Sequence, residues 1–309
     1  MKHPKNYLIT GATGFIGKNL LNKIKKKKNT IIYYIYRDKK LYFKNPNIIG
    51  IQVNLENLNE INKLKNILDK IDTIIHCANL AHNSYSKKKI KKINYSATIY
   101  LAKLAKNFNV KNFIFLSTAK INMNYSNTIN NEDDFSEDIK DDVYTNIKYI
   151  TEIKINKIFK FSKVNCIVLR PALVYGKNVK GNLKKIEALA KYNLPLPFAN
   201  ANEKKSFCSI NNLINCINII LANNIKSNTF LVCDDIYFSF KDILIMSYKK
   251  NNNKIILFPV KLSIFKLIFY IVKKKKLYNS IFSRMILDNS RIKKKLNIKF
   301  LHNLNNTEY

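Results

Sequence analysis

Three glycines in seven positions, Gly11, Gly14 and Gly17, punctuate "LITGATGFIGKNLL" at residues 8–21. The whole 309-residue chain has only six. They stand between a short apolar run, "NYLIT", and "GKNLLNKIKKK", where Leu20, Leu21 and Ile24 recur at helical spacing. A strand that turns sharply into a helix needs freedom from steric limits at the turn. It also needs bare backbone where a ligand comes close, and no side chain where helix meets strand. Gly11, Gly14 and Gly17 meet these needs in that order. The free N–H groups and positive end of the following helix favour phosphate, so the pattern in this context reads as a pyrophosphate cradle.

Beyond the turn, apolar strands alternate with helical stretches. "TIIYYIY" (30–36), "IIGIQVNL" (48–55), "DTIIHCA" (72–78), "NFIFLST" (112–118) and "VNCIVLRP" (164–171) read as strands. "LNEINKLKNILDKI", "YSATIYLAKLAKNFNV" and "VYTNIKYITEIKINKIF" read as helices. This alternation predicts right-handed crossovers and an α/β fold, a doubly wound parallel Rossmann sheet. After Pro171 the rhythm breaks into shorter elements. Residues 1–176 are therefore expected to form a dinucleotide-binding domain. Residues 177–309 are expected to form, in the main, a smaller C-terminal α+β lobe that contributes substrate contacts. In such sheets an acid after the second strand binds ribose hydroxyls, whereas a base there accepts a 2′-phosphate. Here Arg37 is followed by Asp38 in "YIYRDKK". The scarce arginine tilts the reading toward NADP, and the cofactor stays NAD or NADP.

Tyr144 and Lys148 in "VYTNIKYITE" are four apart on a predicted helix, so phenol and ammonium share a face. An ordinary tyrosine, with a pKa of about 10, is a poor base at neutral pH. A neighbouring cation favours its phenolate. Tyr-x-x-x-Lys alone says little in a chain with 18 tyrosines. Order along the chain selects this pair. A glycine turn comes first, a strand ending in Ser117 and Thr118 comes next, and the Tyr/Lys helix follows. Strand C-termini and helix N-termini share one edge of a doubly wound sheet. Thr118 is therefore expected to meet Tyr144 over the nicotinamide.

With these residues in this order, the chain resembles the extended short-chain dehydrogenase/reductases, the NAD-dependent epimerase/dehydratases acting on nucleotide-sugars. The resemblance covers nearly the whole chain. "TGATGFIG" is similar to their cofactor turn, "IIHCAN" to their fourth strand and "NYSAT" to their Asn-x-x-Gly-Thr stretch. "STAKIN" resembles their Ser-Ser-x-x-Val-Tyr-Gly segment, "LRPALVYG" (169–176) their Arg-Pro segment, and "KKSFCSINNL" (204–213) their Arg-Ser-Phe-x-x-Val-Asp-Asp-Leu stretch. The resemblance implies catalytic roles for Thr118, Tyr144 and Lys148. It implies cofactor contacts from Gly11, Thr13, Gly14, Phe15, Ile16, Gly17, Arg37, Asn54, Ala78, Asn94 and Pro171, together with Tyr144 and Lys148. Asn182 and Lys205 are implied to face the substrate diphosphate. The chain also departs from the pattern. Asn54 stands where an Asp often contacts adenine, Asn122 and Met123 replace Tyr-Gly, and Ile147 replaces a serine. Lys205 replaces an arginine, which keeps the charge but loses bidentate geometry.

The "AKIN" variant is similar to bacterial surface-polysaccharide 4-epimerases and 4-ketoreductases. The implied chemistry is hydride transfer at C4 of a nucleotide-diphosphate sugar, UDP-linked foremost. A UDP-sugar 4-epimerase leads, and an NADPH-dependent UDP-4-keto-sugar reductase is the alternative. A non-catalytic dinucleotide sensor on the same fold ranks lower, because the Tyr/Lys pair is present. The resemblance further implies a homodimer built on two helices, one of them the Tyr/Lys helix. No metal is implied.

The formal charge is +35, from 55 Lys+Arg against 20 Asp+Glu. All but four of the basic residues are lysine, and lysine, asparagine and isoleucine crowd every segment. So uniform a drift points to AT-rich coding. A nucleic-acid footprint clusters arginine and lysine on one face, and no nucleic-acid partner is expected. The five cysteines form no CxxC pair, which argues against a disulfide framework or a zinc site and fits a reducing cytosol. "MKHPKNYLIT" lacks an apolar signal region and no run of about 18 apolar residues occurs, so a cytoplasmic location is expected. "LSIFKLIFYIVKKKK" (262–276) has two readings. It is a core helix with a solvated lysine tail, or an amphipathic helix in peripheral contact with an anionic membrane.

Overall fold

β-branched and aromatic side chains pack well on a pleated surface, and the segments richest in them supply the sheet. The computed structural model describes residues 5–81, 85–124, 128–177, 179, 186, 188, 192, 194–250 and 252–300. Seven strands form one parallel sheet: β1 (Lys5–Thr10), β2 (Thr30–Tyr36), β3 (Ile48–Gln52), β4 (Thr73–His76), β5 (Asn112–Leu116), β6 (Asn165–Pro171) and β7 (Asn228–Val232). Their order is β7-β6-β5-β4-β1-β2-β3, with every pair parallel. The strand order reverses between β1 and β4, as a doubly wound sheet requires. Ile9, Ile75, Ile114 and Ile167 sit side by side across four strands, all fully buried. Continuous apolar strands of this kind belong to a sheet covered on both faces.

Three helices matter for the site: α1 (Phe15–Ile24), α2 (Thr98–Asn107) and α3 (Val143–Phe159). Leu101, Ala102 and Ala105 of α2 share a core with Ile155 and Phe159 of α3. Residues Lys92–Ala97, directly before α2, form a π-helical turn, a feature frequent at functional sites. The stretch read as one helix after β3 forms two short ones, Leu58–Asn62 and Lys65–Leu68. Asn57 caps the first by accepting from the Asn59 N–H at 3.0 Å.

Contacts divide the chain into two compact units. The first, Met1–Ile121, Ser136–Pro171 and Leu213–Val232, holds the seven strands and α1 to α3. The second, Asn122–Phe135, Ala172–Asn212 and Cys233–Tyr309, is smaller and α+β. Its strands Leu173–Tyr175, Lys205–Ser209 and Tyr237–Phe238 form one sheet, and Ile129–Asn130 pairs with Ile286–Leu287. Its core includes a cluster of rings, in which Phe265 lies 4.7 Å from Phe282 and 5.8 Å from Phe198.

Candidate active site

The glycine turn does steric work that no other residue could do. Gly11 follows β1 at φ +66°, and a Cβ there would come within 2.6 Å of the Ala78 nitrogen. The turn therefore lies directly on the chain leaving β4, at the point where strand order reverses. A Cβ on Gly17 would sit 2.2 Å from the Gly11 carbonyl oxygen, so α1 presses against the turn. Gly14 is the N-cap of α1 at an ordinary φ of −78°, and the first turn carries neither an acid nor a side-chain cap. Thr13 is exposed, and Phe15 and Ile16 are partly exposed. The positive helix end is thus left for an anion.

β4 delivers the next elements. His76 is fully buried, and burial, with the Lys148 charge, holds its pKa down to about 3. Its Nδ1 lies 2.7 Å from Thr10 Oγ1 and its Nε2 lies 2.8 Å from Thr98 Oγ1. Thr10 Oγ1 also accepts from the Ala78 N–H at 3.1 Å. A neutral imidazole therefore ties β1, β4 and α2 together, which is a structural role. Asn94, in the π turn, accepts from the Leu80 N–H at 2.9 Å and donates to the Leu80 carbonyl at 3.0 Å. Both ends of this side chain hold the loop that presents Ala78 and Asn79.

Asn79 donates through Nδ2 to the Tyr144 hydroxyl at 2.9 Å. Tyr144 opens α3, whose N-cap Asp142 accepts from Thr145 Oγ1 at 2.6 Å and from the Tyr144 N–H at 3.3 Å. Lys120, two residues past Thr118, lies 5.6 Å from the Tyr144 ring centroid and 3.4 Å from Asp142. Thr118 Oγ1 accepts from the Lys120 N–H at 3.3 Å. The hydroxyl-bearing end of β5 and the start of α3 are thus linked through Lys120. One turn along α3, buried Lys148 donates to the Leu116 carbonyl at 2.5 Å and lies over the Phe115 ring.

The electrostatics differ from the sequence expectation. Burial, with Asp142 adding to it, pushes the Tyr144 pKa up to about 12, and the Asn79 hydrogen bond pulls the other way. Burial pushes Lys148 down to about 7 against the pull of Glu152 and Cys77. Lys148 directs its ammonium at a backbone carbonyl, and Tyr144 takes its hydrogen bond from Asn79. Lowering of the tyrosine pKa by the lysine is therefore not a property of this geometry.

The remaining sequence candidates are spread more widely. Arg37 follows β2 and pairs with Asp38 at 2.7 Å, both side chains exposed. Asn54 follows β3, where its Oδ1 accepts from the Glu56 N–H at 3.0 Å. Pro171 is the buried last residue of β6. Lys205 belongs to the second unit, where it donates to the Ser283 carbonyl, and burial lowers its pKa to about 8. Asn182 lies outside the described residues.

Sequence reasoning passed over Asn79 as a partner of Tyr144, and also the buried pair of Arg170 with Glu152 at 2.6 Å. Glu152 sits one turn beyond Lys148 on α3 and favours its charged form. The only signals in the sequence were the final Asn of "IIHCAN" and the Arg of "LRP".

Two buried oxygens near these groups, Asn79 Oδ1 and Ser117 Oγ, have no hydrogen-bond partner among the described residues. Buried polar atoms rarely stay unpaired. Together with the bare backbone of the glycine turn, they fit a bound dinucleotide. A phosphate cradle at the reversal of a parallel sheet, next to a phenol and an ammonium, defines an enzyme that works with a dinucleotide cofactor. The chain belongs to the NAD dependent epimerase/dehydratase family, which matches residues 7–233. It is similar to the UDP-glucose 4-epimerase of Vibrio cholerae, at 30% identity over 248 residues, spanning 75% of this chain and 72% of the relative. Its fold is that of the UDP-glucuronic acid 4-epimerase from Bacillus cereus in complex with NAD. That likeness has a TM-score of 0.77 at 18% identity, covering 98% of this chain and 95% of that one. The UDP-glucose 4-epimerase of Thermotoga maritima with UDP-glucose shares it too, at a TM-score of 0.75 and 16% identity, covering 98% and 96%.

Proposed function

We propose that this chain is an NAD-dependent UDP-sugar 4-epimerase of surface-polysaccharide synthesis. The observation that carries the reading is the hydrogen bond from Asn79 to Tyr144 at the switch-point edge, with Lys148 one helical turn beyond. Tyr144 takes the proton of the sugar C4 hydroxyl and returns it to the same oxygen after the 4-keto sugar has turned its other face to the cofactor. Thr118 hydrogen-bonds the reacting oxygen, and Lys148 holds the nicotinamide ribose. Gly11, Thr13, Gly14, Phe15, Ile16 and Gly17 would hold the diphosphate of the cofactor. Arg37, Asn54, Ala78 and Pro171 would line the rest of it, and Asn94 would act through the Leu80 loop. When bound, the dinucleotide supplies the two-electron acceptor and donor. Asn182 and Lys205 would meet the substrate diphosphate, in a lobe built mainly from residues 177–309.

Several features support the finer points. The Vibrio cholerae relative is a UDP-glucose enzyme, and the Bacillus cereus structure holds NAD. Asp38 beside Arg37 suits ribose hydroxyls, which supports NAD. The relative at 30% identity is a 4-epimerase, which favours epimerisation over dehydration. Ile150 and Ile153 are exposed on α3, which supports a homodimer through α2 and α3. Arg37 is the one observation in favour of the alternative, an NADPH-dependent 4-ketoreductase. We take the protein to be cytoplasmic. No described helix is long and apolar enough to cross a membrane.

Incubation of the purified protein with UDP-sugars tests the reading. Interconversion without added cofactor supports the epimerase. Stoichiometric NADPH loss on a 4-keto-sugar supports the reductase. Full activity of Tyr144→Phe overturns both.

A further inference from the structure

Helix Leu262–Ile271, in the second unit, presents two unlike faces. Phe265 and Phe269, four apart, pack inward among Phe198, Tyr278 and Phe282. Ile264, Leu267, Ile268 and Ile271 fall at i, i+3, i+4 and i+7, so they form one stripe. Their exposures are 47%, 60%, 48% and 67%, and neighbouring Tyr270 reaches 79%. The core reading of this segment therefore holds for its phenylalanines and fails for the stripe. A water-facing helix surface normally carries polar residues there, and a contiguous apolar patch with a charged rim marks an interaction site.

Four lysines follow the stripe. The helix stops at Lys273, which adopts a left-handed φ of +53°, and its N–H bonds the Tyr270 carbonyl at 3.0 Å. Lys273, Lys274, Lys275 and Lys276 are all exposed where the chain turns into the next helix, Lys275–Phe282. The sequence holds no Asp or Glu between Asp242 and Asp288, so no acid of this segment offsets the cluster.

We propose that this face docks on an anionic lipid bilayer, with the isoleucine and leucine stripe among the acyl chains and Lys273–Lys276 against the headgroups. The charge pattern sets this occupant above a second copy of the chain. A two-fold contact apposes the same patch on both copies, and with no acid in the segment it would bring like charges together. The helix, ten residues long, lies on the surface and does not span it. The proposal stands apart from the catalytic reading and survives or fails without it.

Co-sedimentation of the full chain with vesicles tests it. Binding is expected on vesicles of phosphatidylcholine and phosphatidylglycerol at about 3:1. It should weaken roughly tenfold on pure phosphatidylcholine, or in about 0.5 M salt. Leu267→Glu/Ile271→Glu should lower binding by a similar factor with the melting temperature unchanged, because both side chains already face water. Converting Lys273, Lys274, Lys275 and Lys276 to glutamine should remove the salt-sensitive part. Three outcomes overturn the proposal. One is no binding of the unaltered protein to anionic vesicles at low salt. Another is binding untouched by both variants. The third is a dimer, seen by light scattering, that Leu267→Glu/Ile271→Glu dissociates, which would assign the face to a second copy.

Discussion

The ammonium of Lys148 donates to the carbonyl of Leu116 at 2.5 Å, joining α3 to the end of β5 beneath Ser117 and Thr118. Burial lowers its pKa from 10.5 to about 7. Below about pH 7 the folded chain carries the full penalty of a buried charge. Between about 7 and 10.5 the unfolded chain binds a proton that the folded chain has lost, so this site adds stability as pH rises. Lys148→Met is therefore expected to melt above the unaltered protein at about pH 6.5, by roughly 2 °C or more. The gap should narrow toward about pH 10. Calorimetry at both pH values checks this, and a lower melting temperature for the variant in acid would contradict it.

Asn79 is the group whose hydrogen bond lowers the Tyr144 pKa. In Asn79→Ala the phenol is expected to titrate higher. Throughout about pH 6 to 10 the phenol stays protonated, so kcat should fall about tenfold at every pH in that range. Steady-state rates paired with thermal melts check this. An unchanged kcat would contradict it, and a fall in kcat matched by a fall in melting temperature would assign Asn79 a role in packing alone.

Arg170 and Glu152 form a buried ion pair with two further contacts, from Arg170 Nε to the Glu152 oxygens at 3.2 and 3.0 Å. Arg170→Leu leaves the carboxylate buried without its guanidinium and is expected to cost about 3–5 kcal/mol. Arg170→Leu/Glu152→Leu should recover most of that loss. Urea denaturation measures both, and a double variant less stable than the single one would be incompatible with this pairing.

Gly17 and Gly14 separate fold from binding. A methyl at residue 17 would meet the Gly11 oxygen at 2.2 Å, whereas one at residue 14 would come no closer than 3.1 Å. Gly17→Ala is expected to destabilise the turn by several kcal/mol, roughly the scale of overpacking. Gly14→Ala should fold normally and lose affinity for the dinucleotide. Thermal melts paired with mass spectrometry of retained cofactor distinguish them. Equal melting temperatures for the two variants would contradict the steric argument.

Much of the sheet was legible because its signals are local. The run "TIIYYIY" became β2 and "VYTNIKYITEIKINKIF" became α3 with the bounds expected. β7 went unread, since Asn228–Val232 follows the break in the alternation and joins the sheet only through its pairing with β6. The π turn at Lys92–Ala97 leaves no distinct apolar period, so it merged with α2. The glycine cradle could be read because Gly11, Gly14 and Gly17 are neighbours in sequence. Asn79 and Tyr144 are 65 residues apart, and their bond depends on which strands lie side by side. The Leu116 acceptor is a backbone carbonyl, which no side-chain pattern announces.

The most direct test of the central claim, that Tyr144 moves the substrate proton, is the rate at which Tyr144→Phe interconverts UDP-glucose and UDP-galactose with no cofactor added. The variant keeps the ring and loses only the hydroxyl that Asn79 holds. A fall in kcat of about 10²- to 10⁴-fold, with the melting temperature and retained dinucleotide unchanged, is the expected result. A kcat within about twofold of the unaltered protein would contradict it.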